Sequence, residues 1–444
     1  MYLNYPLPSA SADGPHCQGA FGRHVPAAGN QEYVSWLANL LREVERNPQD
    51  LHPVLGEFER LIETNPRIYM LLQSMLHEAQ ECRLGVEQNV DMDDYHKLLQ
   101  VLNHIITHAP PWSDDHPGVP MLVLLRFSMP TVSGYAFFQD PEVNKLIKKT
   151  LDAWADYLSS PESAGVLNTS TTGWFSAGAL RRLTGTANIG GDGFEFGELY
   201  ICNPDAPHYG FKSWDDFFTR RFREGVRPVA FPDDDSVIVN PCESQPFALA
   251  RQVKFRDSFW IKGKAYSLSD MLGNTFVTPF LDGTVYQGYL DTFSYHRWHS
   301  PVSGRIVKSY VLDGTYFSTP EALNVNPPNK DPGNEIPYQG YLAAMATRAV
   351  ILIEAENPEI GLMAFLAIGM AEISTCEISV CEGDYLRKGD ELGMFHYGGS
   401  SHCLIFQNGV NITGFPEIGG GKNIPVRGQL AIVTPMEVDG FQLV

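Results

Sequence analysis

Positive charge is scarce in this chain. Its 444 residues carry 32 Lys and Arg against 52 Asp and Glu, a formal net charge of −20, and no basic cluster offsets it. That balance repels nucleic acid and anionic lipid headgroups, so neither a nucleic-acid partner nor a stable membrane association is expected. Cysteine is sparse as well. The seven residues Cys17, Cys82, Cys202, Cys242, Cys376, Cys381 and Cys403 are dispersed, odd in number and contain no CxxC pair. Such a set is neither a disulfide framework nor a zinc knuckle, and it suits a reducing compartment. Long apolar runs are missing too. The longest, around Leu362 to Met370, is far too short to cross a bilayer. The opening stretch MYLNYPLPSASADGPH has neither the basic segment nor the apolar core of a secretory signal, so a soluble, cytoplasmic protein is expected.

Several chemical signatures are absent. No HExxH is present. GGGKN at 419–423 has Pro416 where a phosphate loop needs glycine, and Asn423 where it needs Ser or Thr. GGSSH at 398–402 is not the GxSxG elbow of α/β-hydrolases.

What is present reads as two regions. With 43% apolar residues the chain can bury a sizeable core. In EYVSWLANLLREV, residues Tyr33, Trp36, Leu37, Leu40, Leu41 and Val44 recur at helical spacing. IYMLLQSMLHEAQE, DYHKLLQVLNHIITHA and VNKLIKKTLDAWADYL repeat the pattern, and these stripes imply packing rather than chemistry. NTSTTGW at 168–174 reads as the linker that ends this region. Ser213 and Asp216 form a capping box for a helix running through WDDFFTRRFR to Gly225 and Pro228. From about residue 236, short strands such as TVYQGYL, RIVKSYVL, AVILIEAE and MAFLAIGM alternate with Gly, Pro and Asn turns. Their near-continuous apolar content suits strands buried on both faces. ISVCEGDYLRKGDELGMF resembles a hairpin. The fold class is therefore α+β: a helical domain over 1–170 and a mostly β domain over 171–444.

Three stretches could carry chemistry. GMFHYGGSSH sets Gly398-Gly399 before Ser400-Ser401 in a strand-like stretch, where glycine marks a bulge, a bend or a plain surface turn. YHRWHSP places His296 and His299 three residues apart. They could be a core pair, two ligands of an otherwise unsupported metal site, or a base with a proton carrier. Glu243 in NPCESQP would, taken alone, be a solvated turn carboxylate.

Five segments in order resemble the phosphatidylserine decarboxylase family of pyruvoyl enzymes: WDDFFTRRFREGVRPV, NPCES, IKGKAYSLSDMLG, SYHRWHSPVSG and RKGDELGMFHYGGSS. They span about residues 210 to 405. The helical region and APHYGFKSWDDFF further resemble the fungal branch that decarboxylates free tryptophan. The resemblance implies self-cleavage between Gly399 and Ser400, with Gly398 and Gly399 giving the backbone its freedom and Ser401 standing where threonine is usual. Ser400 would become a pyruvoyl group, replacing PLP, and no metal is implied. His299 would be the base for Ser400, Glu243 the acid that orients it, and His296 the residue that reprotonates the product.

The implied reaction is decarboxylation of a small-molecule aromatic L-amino acid, tryptophan to tryptamine, through a Schiff base. The cleaved chains would remain associated, and a homo-oligomer is allowed. The chain departs from the phospholipid enzymes at Glu243-Ser244, where they have aspartate and glycine. Three other readings stand beside this one. The first is the same chemistry on phosphatidylserine. The second is a Ser-His-Glu hydrolase that never matures. The third is a carrier hairpin, which would need a lysine where Glu382-Gly383-Asp384 stands.

Overall fold

The computed structural model describes residues 27–83, 92, 94–113, 118–256, 266–320, 339–372, 374–396 and 400–435. Gly398 and Gly399, with the first part of IKGKAYSLSDMLG, lie outside them.

The periodic stripes fold as helices, among them Ala27–Arg46, Pro53–Thr64, Pro66–Arg83, Tyr95–Ile106 and Pro141–Leu158. In the last of these, Val143, Leu146, Ile147, Leu151, Trp154 and Leu158 are all buried. Each such large side chain contributes about 1.5–3 kcal/mol relative to exposure. Local chemistry fixes the starts: Asp140 accepts from the N–H groups of Glu142 and Val143 just ahead of that helix. Helical structure continues past the 168–174 run, through Ala177–Ala187. The run itself is an ordered turn. Gly173 approaches the Asn168 carbonyl so closely that a Cβ would lie 2.1 Å from its oxygen. The neighbouring Trp174 indole donates to the Pro110 carbonyl at 2.8 Å.

The helix opened by Ser213 is shorter than its sequence suggests. Ser213 Oγ accepts from the Asp216 N–H at 3.1 Å, as a cap should, but the helix covers only Trp214–Phe218. Tertiary contacts end it. Arg220 turns inward to donate to the Phe293 carbonyl at 2.8 Å, and Phe222 bridges to Tyr200.

The β region centres on a seven-stranded antiparallel sheet. Its spatial order is Gln245–Arg251, Thr284–Leu290, Ser400–Phe406, Leu362–Ile368, Arg348–Ala355, Gly304–Leu312 and Tyr385–Leu386. Both faces are covered, which explains the nearly continuous apolar strands. Leu404, Phe406, Phe365 and Tyr286 join the core shared with the helical region. Cys403, Ile405, Leu366 and Val285 pack into a second core with residues of the helices Leu268–Met271 and Gln339–Met345. A three-stranded sheet places Glu391–His396 between Arg297–His299 and Thr375–Ile378. The stretch read as a hairpin is therefore interrupted, because Tyr385–Leu386 leaves to pair with the edge of the large sheet.

Candidate active site

Ser400 begins a central strand of the large sheet. In register it faces Leu290, and Ser401 lies between Tyr289 and Ile368. Ser401 is buried, and its Oγ accepts from Gln287 Nε2 at 3.2 Å. Gln287 is fixed in turn by the Tyr266 hydroxyl at 2.6 Å.

His296 precedes the short strand Arg297–His299 and His299 ends it, and the two meet different surroundings. His296 is buried, its carbonyl accepts from the Phe395 N–H at 3.0 Å, and its ring stacks on Phe218 with centroids 4.4 Å apart. This pairing brings His296 alongside the end of the strand Glu391–His396, which stops four residues before Ser400. His299 is buried too. Its Nδ1 lies 2.9 Å from the Gly389 carbonyl and its Nε2 3.1 Å from the Tyr295 hydroxyl. The Gly389 carbonyl only accepts and calls for a proton on Nδ1, whereas Arg427 Nη2, 3.1 Å from the same nitrogen, only donates. With the carbonyl the closer partner, Nδ1 is assigned the proton and Nε2 the lone pair, which Tyr295 O–H fills in this state. Burial, reinforced by the positive charge of Arg427, pushes the His299 pKa down to about 3. The ring is neutral, as a base must be.

Glu243 makes no hydrogen bond to His299. Its carboxylate makes a two-point pair with Arg227, Oε1 to Nη2 at 2.5 Å and Oε2 to Nε at 3.1 Å. Oε2 also accepts from the Val426 N–H at 2.8 Å. Arg227 belongs to the GVRPV stretch, and nothing in its local pattern announces the pairing. The group that orients His299 here is the Gly389 carbonyl, toward which Arg427 Nε also donates at 3.0 Å.

Ser244, where glycine was the expected family residue, has a visible use. Its hydroxyl lies 3.0 Å from Nε2 of His402, a fully buried imidazole two residues after Ser400. Gly288 makes the space, since a Cβ there would come within 2.4 Å of that nitrogen. Burial drives the His402 pKa down to about 3. Sequence reasoning assigned His402 no role; its signal is an imidazole leading the apolar run CLIF. Glu372 is a second unforeseen residue. It is fully buried beyond the strand Leu362–Ile368 and accepts from the N–H groups of Met121 at 2.9 Å and Leu122 at 3.0 Å, tying the sheet to the helical region. Burial raises its pKa to about 8.

Two family models described as phosphatidylserine decarboxylase match this chain, over residues 52–183 and 214–424. A decarboxylase named iboD from Amanita muscaria is 43% identical over 346 residues, covering 73% of this chain and 97% of that relative. The L-tryptophan decarboxylase of Psilocybe cubensis is 36% identical over 395 residues, 86% of each chain. A phosphatidylserine decarboxylase proenzyme of Bacillus cereus is 30% identical over 216 residues, 48% of this chain and 75% of that one.

Proposed function

Because the chain belongs to the phosphatidylserine decarboxylase family and is a carboxy-lyase, we propose that it decarboxylates a free aromatic L-amino acid, tryptophan to tryptamine, with a pyruvoyl group made from its own Ser400. The substrate class rests on similarity to an L-tryptophan decarboxylase along most of both chains. Among the described residues no helix is long and apolar enough to cross a membrane.

The observation that carries the cofactor reading is the place of Ser400. Cleavage on its N-terminal side would free the start of a strand that is hydrogen-bonded on both flanks, to Thr284–Leu290 and to Leu362–Ile368. The new end would therefore remain held in register between those two strands. In the cleavage, the Ser400 hydroxyl attacks the Gly399 carbonyl carbon and the peptide C–N bond breaks. Elimination of the resulting ester frees the Gly399 carboxylate, and water then releases ammonia from residue 400. His299 takes the hydroxyl proton at Nε2 once Tyr295 yields that lone pair. A pyruvoyl group would supply the electron-withdrawing carbonyl that accepts the electron pair left as CO2 departs. His296, stacked on Phe218, returns a proton to the substrate's α-carbon.

Intact mass of the purified protein tests this. The expected result is two chains, the smaller beginning at position 400 with a blocked terminus, and tryptamine from tryptophan without added PLP. Ser400→Ala should remain full-length and inactive. A full-length Ser400→Ala variant that still released tryptamine would sink the mechanism. Turnover of phosphatidylserine vesicles with tryptophan untouched would move the protein to the lipid reaction.

A further inference from the structure

Ser400 and His299 belong to different sheets, the first to the seven-stranded sheet and the second to the three-stranded one. No single backbone ladder therefore sets the nucleophile against its base. His402 lies two residues beyond Ser400, so the two side chains leave the same face of their strand.

An imidazole is a costly residue at this place. His402 is fully buried between its register partners Gly288 and Ala367, with the Tyr286 and Phe365 rings at 6.0 and 6.2 Å. Its Nδ1 is buried and has no hydrogen-bond partner among the described residues. An unpaired buried polar atom lowers stability, and the strand is apolar from Cys403 to Phe406, so packing alone would be met by leucine.

The described hydrogen bond of the ring leads toward the base. Nε2 lies 3.0 Å from Ser244 Oγ, which also accepts from Asn240 Nδ2 at 3.3 Å. The bond passes over the intervening strand at Gly288, where a Cβ would come within 2.4 Å of Nε2 and 2.8 Å of Ser244 Oγ. Ser244 ends the turn 240–244, which is clamped by the segment 424–428. Ser244 and Ile424 exchange backbone hydrogen bonds, and the Asn240 carbonyl accepts from the Arg427 N–H at 2.8 Å. Within this clamp the Pro241 carbonyl accepts from the His299 N–H at 2.9 Å. Arg427, in the clamp's other half, reaches Nδ1 of the same histidine at 3.1 Å. Its backbone takes a left-handed φ of 66°, which a residue other than glycine keeps only where its surroundings fix it.

We propose that His402 is a positioning residue for self-cleavage. Through Ser244 it ties the strand that begins at Ser400 to the turn that holds His299, and so sets the nucleophile against its base. It acts through that turn rather than on the reacting atoms. The inference rests on the reading that Ser400 is cleaved to a pyruvoyl group.

Freshly synthesised full-length chain tests it, with the half-time of cleavage read on denaturing gels. The urea midpoint of each substitution is read in the uncleaved Ser400→Ala protein. Ser244→Ala and His402→Leu should each lengthen the half-time by about ten- to a hundredfold. The double variant should be no slower than the slower single one, since both remove the same tie. It leaves neither partner stranded, so its midpoint should equal or exceed that of Ser400→Ala alone. His402→Gln keeps a hydrogen-bonding nitrogen and should restore most of the rate. Wild-type half-times in Ser244→Ala and His402→Leu overturn the proposal, as do additive delays or a delay that appears only with a lowered midpoint. If the double variant does not fold, Ser244→Ala against His402→Gln decides, and equal half-times overturn the tie. A wild-type chain that stays full-length removes the self-cleavage reading, and the proposal with it.

Discussion

The strand Arg297–His299 has a histidine just before it and another at its end, in opposite surroundings. His299 is tethered by polar groups, the Gly389 carbonyl and the Tyr295 hydroxyl, with Arg427 alongside. His296 lies against the face of Phe218. Residues three apart share a face on a helix but not on extended chain, so a spacing that suggested a shared ligand pair instead separates the rings. The lesson is about division of labour. A neutral, tethered imidazole suits the single deprotonation proposed for maturation, whereas the ring against Phe218 is the one left for the proposed proton return.

The sharpest way to break this comparison is to remove each ring. His299→Ala should leave the protein full-length, with cleavage lost on a denaturing gel. His296→Ala should cleave normally and then turn over about 10²–10⁴-fold more slowly, the usual contribution of a positioned proton donor. Failure of both at the same step would erase the distinction.

Next in size is the buried Arg227–Glu243 pair. Arg227→Met strands a buried carboxylate and should cost about 3–5 kcal/mol, read as a shift in the urea midpoint of the uncleaved Ser400→Ala protein. Because Glu243 bonds Arg227 rather than His299, Glu243→Gln should mainly lower stability. Cleavage slowed as severely as in His299→Ala, at unchanged stability, would restore Glu243 as the orienting acid.

His402 gives a pH test. Its folded-state pKa, about 3, lies below the ordinary value of about 6.5. Its contribution is therefore present above pH ~6.5 and lost as pH falls toward 3, since the unfolded chain takes up the proton the buried ring refuses. His402→Gln should flatten the acid side of the stability profile by up to about 1.4 kcal/mol per pH unit. A slope identical to wild type would contradict a buried neutral ring.

The smallest effect belongs to His396. Burial works against its charge, but Asp215 and Glu377 win and hold its pKa above the ordinary value. Its contribution is complete below pH ~6.5 and lost as pH rises through the raised pKa. Asp215→Asn should remove about 1 kcal/mol or less at pH 6, and still less at pH 9. Equal losses at both pH values would mean that the pair is not charged.

Much of the architecture was legible beforehand because its signals are local. The helical stripe from Val143 to Leu158 and the apolar strands TVYQGYL and MAFLAIGM fold as their periods require. The misreadings share one cause. WDDFFTRRFR has helical pattern throughout, yet Arg220 and Phe222 are claimed by distant partners, Phe293 and Tyr200. ISVCEGDYLRKGDELGMF has hairpin pattern, yet its middle is claimed by the strand Gly304–Leu312. In both, tertiary pairing overrode local propensity.

By itself the sequence determined an α+β chain, a doubly buried set of strands, and the motif GGSS beside two histidines and a glutamate, with the family those residues resemble. Only the tertiary structure decided which of them meet. It gave Glu243 to Arg227 and paired Ser244 with His402 across 158 residues. The physical reason is the strand order: the strand of residues 400–406 lies between those of residues 284–290 and 362–368. Periodicity tells a strand which of its faces is apolar, but not which strand will lie beside it.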